Sequence, residues 1–124
     1  MTKKIIIGDI IGHYITLEAS PEDAIKILKT LRQRLGKGRE DVDDAIRMIE
    51  HFDVFYDVMR KKFKEYLTPR KNIGDVIKGE VLVDKIKLLK RGEMKSVVIV
   101  FDRNVDRESL LNVLRDMGYE IEIH

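Results

Sequence analysis

The chain has 124 residues, 24 Lys and Arg against 22 Asp and Glu, and no Cys. One domain of this length buries roughly two-thirds of the surface its unfolded chain exposes, enough for a core without covalent staples. The lack of Cys excludes disulfides, thiolate zinc sites, iron–sulfur clusters and cysteine nucleophiles.

No apolar run approaches the roughly 18 residues of a membrane span, and the first residues lack a signal-peptide hydrophobic region. The expectation is a soluble, cytoplasmic protein with no membrane partner. A single Gln and three Asn stand among abundant Ile, Val, Lys, Glu and Arg, a balance seen in proteins from hot environments.

Lys3 to Ile7 and Ile10 to Glu18 are β-branched runs on either side of Gly8-Asp9, a pair suited to a two-residue hairpin turn. Ser20-Pro21-Glu22-Asp23 predicts a helix start: a serine oxygen to accept a first-turn N–H, proline where no N–H is missed, and acids beside the positive helix end. Ala24, Leu28, Leu31 and Leu35 continue that helix with Ile27 alongside, and Gly36-Lys37-Gly38 stops it.

Glu40 to Leu67 carries the strongest pattern. Val42, Ala45, Ile49, Phe52, Tyr56, Met59, Phe63 and Tyr66 recur at intervals of 3, 4, 3, 4, 3, 4 and 3 residues, which keeps one stripe on one face of a continuous helix. Acids crowd its first turns and Arg60, Lys61, Lys62 and Lys64 its last, each sign opposing the helix dipole at that end; Thr68-Pro69 is the expected stop. Such a rod is about 42 Å long, against a diameter of roughly 35 Å for a compact chain of this size. Val54, Phe55 and Val58 lie off the main stripe. The helix is therefore expected to be too long and too apolar to be covered by one copy, and to dimerise through Ile49, Phe52, Phe55, Tyr56, Met59 and Phe63.

Residues 68 to 79 read as a basic connector with Gly74 and Gly79 as breakers. Glu80 to Leu89 fits strand or helix; strand is chosen because Arg91-Gly92-Glu93 can turn it into the apolar strand Val97 to Phe101. Asp106 then caps a helix through Met117, with Val105 stapled onto Leu110, and Gly118 ends it before a last strand from Tyr119. The order resembles, in topology, the ferredoxin-like split βαβ sandwich with an inserted long helix: one α+β domain over residues 1–124. A helical hairpin packed on a small mixed sheet is the alternative.

Chemistry-bearing clusters are few. The segment from Gly8 to His13 superficially resembles the glycine, aspartate, histidine segment of metal-dependent phosphoesterases, but only two other His exist to complete a two-metal cage. Asp9 and Asp102 each follow a strand and would hold Mg²⁺ if those strands were neighbours, the basis of a small metal-dependent phosphoryl-transfer enzyme; the plainer reading of Asp102 is turn chemistry before the Asp106 cap. Glu50, Asp53 and Asp57 share a helical face beside His51, which reads as a solvated strip with ion pairs such as Asp43 to Arg47 and Asp57 to Arg60. No catalytic residue, cofactor or metal ligand is assigned.

Charge is distributed unevenly. Residues 1–59 hold 9 basic and 11 acidic side chains, 60–95 hold 12 and 5, and 96–124 hold 3 and 6, giving −2, +7 and −3. Within the basic block, Lys61, Lys62, Lys64, Arg70 and Lys71 surround the helix end, with Phe63 and Tyr66 interleaved; that combination neutralises phosphates and offers stacking faces. Core use of both aromatics is the plainer reading of the heptads. The expectation is a noncatalytic binding protein, a homo-oligomer contacting nucleic acid through residues 60–95, with an acidic protein partner or an assembly role as the alternative.

Overall fold

A computed structural model describes residues 4–10 and 14–124, the side chains of residues 9 and 10 excepted. Strands β1 (Lys4–Ile10), β2 (Tyr14–Ala19), β3 (Val83–Arg91), β4 (Met94–Phe101) and β5 (Glu120–Ile123) form one mixed sheet in the order β3-β4-β2-β1-β5. β1 runs parallel to β5, and the other three pairings are antiparallel. Helices α1 (Pro21–Leu35), α2 (Glu40–Glu50), α3 (Phe52–Lys61) and α4 (Ile73–Lys78) lie between β2 and β3 in the chain, and α5 (Arg107–Asp116) links β4 to β5. The chain is thus α+β, with β4 seated between β2 and β3 and with β2 and β1 between β4 and β5.

Strand alternation puts Ile5, Ile7, Leu17, Ile86, Leu88, Val97 and Ile99 on one face, where they join buried residues of α1, α2, α3 and α5 in a single core. The alternate residues Ile6, Thr16, Glu18, Lys87 and Val98 point to the other face and are half-buried. Gly8 and Asp9 do not form the predicted turn: they continue β1 and pair with Thr16 and Ile15. A Cβ at Gly8 would stand 3.1 Å from Thr16 Oγ1, so glycine there serves a close cross-strand approach. His13 lies outside the described residues.

The local helix signals act as expected. Ser20 Oγ accepts the Asp23 N–H at 3.2 Å, and Asp106 Oδ2 accepts the Ser109 N–H at 3.0 Å. β3 is a strand, closed onto β4 by a two-residue loop whose first residue, Gly92, has φ 63°. The connector contains α4, capped by Asn72 Oδ1 on the N–H groups of Gly74 and Asp75; Gly74 is therefore within a first helical turn and is no breaker.

The continuous rod from Glu40 to Leu67 is corrected. Its helix is interrupted at His51, where φ is −104° and ψ 47°, and it ends at Lys61, before Thr68-Pro69. The break lets the apolar stripe follow the domain: Val42, Ala45 and Ile49 pack under α1 and β3, and Phe52 and Met59 return to the same core. After α3 the chain meets the edge of β3, where Leu67 and Ile86 exchange backbone hydrogen bonds at 2.8 and 2.9 Å. Val42, Ala45, Ile49, Phe52 and Met59 are thus covered within one chain, whereas Val54 is 62% exposed and Phe63 is left outside.

Candidate nucleic-acid interface

The strands associated with Asp9 and Asp102 are not neighbours. β2 separates β1, which contains Asp9, from β4, which Asp102 follows, an interval of about 9–10 Å at ordinary strand spacing. Asp102 Oδ2 accepts the Asn104 N–H at 3.0 Å and its carbonyl accepts the Val105 N–H at 3.0 Å, so it shapes the turn into α5. Among the described residues no group of three His, Asp or Glu could hold a metal ion, and no helix is long and apolar enough to cross a membrane.

On the helical strip, Asp53 takes Lys95 at 3.0 Å and Lys90 at 3.6 Å. The hydrogen bond from Lys95, joined by the charges of Lys95 and Lys90, outweighs the opposing desolvation and holds its carboxyl below the usual carboxylate range. The expected pair of Asp43 with Arg47 is replaced. Asp43 pairs with Arg32 on α1, and Arg47 donates to Asp44 at 2.6 and 2.9 Å. Packing α1 against α2 brings a better-placed guanidinium to Asp43 than its own helix offers.

The residues assigned to an oligomer interface are mostly interior. Ile49, Phe52 and Met59 are buried, and Phe55 and Tyr56 pack against the same core. Phe52 stacks on Tyr56 with ring centroids 5.9 Å apart, while Arg47 covers Phe55 at 5.0 Å. Dimerisation through this stripe therefore has no support in the structure. Phe63 alone among the six is outside, 96% exposed.

The five basic candidates divide into two settings. Lys71 is turned inward, its ammonium on the Asp84 carbonyl at 2.8 Å and carboxylate at 3.2 Å. Arg70 donates its N–H to Asp44 at 2.8 Å and lines a hollow with Glu40, Asp43, Asp44 and Arg47, an acidic neighbourhood. Lys61, Lys62 and Lys64 remain together at the end of α3, all exposed. Among the described residues none of the three has an ion-pair partner, whereas Lys87, Lys90 and Lys95 of the same basic block are engaged with Glu65 and Asp53. Beside this tip Arg60 covers Tyr56 at 5.8 Å.

Tyr66 is half-buried, with two further cations over its ring, Lys85 at 4.9 Å and Lys87 at 5.6 Å. The heptad pattern signalled neither these two contacts nor the exposure of Phe63. The alternation of Lys85 and Lys87 along a strand was the available signal for the first, since period two puts both on one face. For the second it was the absence of any glycine between Lys61 and Thr68 where a helix has to stop. Compared with known proteins, the chain matches no family model, no curated protein and no solved structure.

Proposed function

We propose that this is a noncatalytic nucleic-acid-binding protein whose phosphate-contacting surface is the end of α3, with Lys61, Lys62 and Lys64 as the contacting side chains. The supporting observation is that these three side chains, within four consecutive residues, are exposed and make no ion pair among the described residues, so their charge is free to displace counterions from a phosphate backbone. The strand order, with its two crossovers spanning intervening strands, supports reading the fold as a ferredoxin-like split βαβ plan with β1 added inside it. In that plan the helices cover one face, and the chain leaving α3 pairs with β3 through Leu67 and Ile86.

The test is binding of labelled RNA and DNA oligonucleotides across a salt series. Affinity is expected to fall steeply with salt, and the Lys61→Glu, Lys62→Glu, Lys64→Glu triple variant to lower both affinity and salt slope, by about one slope unit for each phosphate no longer neutralised. Affinity unmoved by salt and by the triple variant removes this reading.

An assembly role is the second reading, favoured by α4, whose Ile73, Val76 and Ile77 are 77%, 52% and 80% exposed. Light scattering would then give a mass above that of the monomer, reduced to it by Ile73→Glu with Ile77→Glu. A monomer at every concentration removes self-association through this helix.

A further inference from the structure

Helix α3 closes in a Schellman turn: the Lys64 N–H donates to the Met59 carbonyl at 2.9 Å and the Phe63 N–H to the Arg60 carbonyl at 3.1 Å. In this motif the residue at the position of Phe63 has to turn left-handed, and its φ is 52°. Helices α1, α4 and α5 meet the same requirement with Gly36, Gly79 and Gly118, at φ 65°, 69° and 89°. Phe63 is the one non-glycine residue of positive φ among the described residues. A Cβ there crowds the neighbouring carbonyl oxygen, which is why glycine ordinarily takes the position.

A strained residue normally persists because its side chain packs. The ring of Phe63 does not: it is 96% exposed, with Lys62 and Lys64 on either side of it in sequence. The residue thus weakens the turn and adds nothing to the core, the combination in which strain is retained for contact with something outside the molecule.

We propose that Phe63 is a base-stacking side chain and that the ligand of this tip is single-stranded nucleic acid, an inference that rests on the nucleic-acid reading above. An unpaired base offers a face on which an aromatic ring can stack, whereas bases within a duplex already cover one another. The flanking lysines supply phosphate contacts to the same strand, giving affinity with little sequence preference.

The experiment uses the full chain, a fluorescein-labelled single-stranded oligouridylate, a duplex RNA of equal length, and vesicles of phosphatidylserine and phosphatidylcholine. Phe63→Gly is expected to raise Tm by about 3–6 °C by relieving the turn, and yet to weaken single-strand binding roughly 5- to 150-fold. Phe63→Leu weakens it similarly, since it keeps an apolar side chain without a ring. Phe63→Trp retains binding and, because the chain has no Trp of its own, reports contact directly through quenching of the introduced indole by the stacked base.

Unchanged single-strand affinity in Phe63→Gly, duplex binding as tight as single-strand binding, or an indole indifferent to oligouridylate overturns the inference while leaving the lysine reading intact. Vesicle binding with a blue-shifted indole, and no affinity for either RNA, overturns both. A Tm lowered by Phe63→Gly shows that the ring supports the fold, and also overturns the inference.

Discussion

The carboxylate of Asp41, in the first turn of α2, accepts the backbone N–H of Leu82 at 2.9 Å, and the same oxygen takes the Val83 N–H at 2.8 Å. Asp41 is 1% exposed, and Leu82 and Val83 are fully buried, so this one side chain ties the helical layer to the start of β3. Nearby, the Gly38 N–H reaches the Glu80 carbonyl at 2.9 Å, and a Cβ on Gly38 would meet Val42 Cγ2 at 2.5 Å; the junction has no room for adjustment. Replacing Asp41 with Ala leaves two buried N–H groups without acceptors and is expected to cost about 2–4 kcal/mol. Urea unfolding of both proteins checks this, and a decrease below about 0.5 kcal/mol would contradict it.

Met59 is 6% exposed and sits in the intramolecular core, so its truncation should act on folding and leave association untouched. Met59→Ala is expected to lower stability by about 2–4 kcal/mol through reduced burial and an incompletely closed cavity. The urea midpoints of wild type and variant should respond alike to protein concentration. A concentration dependence present in the wild type and abolished by Met59→Ala would instead place this residue between subunits.

Tyr119 donates its hydroxyl hydrogen to Asp23 Oδ1 at 2.9 Å, joining the start of the last strand to the first turn of α1. Burial first, and then the hydrogen bond and charge of Asp23, push the phenol from an ordinary value of about 10 up to about 12. The folded state therefore holds a proton that the unfolded chain releases at lower pH, so the Tyr119 contribution is complete below pH 10 and is lost as pH rises toward 12. Tyr119→Phe should cost about 1 kcal/mol at neutral pH and flatten the alkaline decline. Urea midpoints measured from pH 8 upward on both proteins decide the matter, and parallel curves would refute the assignment.

What was legible in the sequence was whatever depends on residues within one turn or one strand of each other. Ser20 with Pro21, and Asp106 with Gly118, mark their helices because the cap, the dipole and the left-handed stop are settled by near neighbours. The β-branched run from Val97 to Phe101 is likewise a strand on its own terms. The α+β class followed from these signals. So did a basic cluster at Lys61, Lys62 and Lys64, since charge density is itself a property of the chain.

Tertiary structure decided the rest. The seven-residue repeat from Val42 to Tyr66 is compatible with a straight rod or with one broken at His51, because both keep the stripe apolar; only the β3 edge and the α1 surface determine which conformation buries it. Gly8-Asp9 is compatible with turn or strand until Thr16 and Ile15 stand opposite. The division of the basic residues is of the same kind: the Lys71 side chain meets Asp84 and the Arg70 backbone N–H meets Asp44 across 13 and 26 residues of chain, while Lys61, Lys62 and Lys64 are exposed and without an ion pair among the described residues. Local propensities depend on short-range sterics and hydrogen bonds, whereas exposure depends on which distant surfaces arrive, and that is a property of the packed molecule.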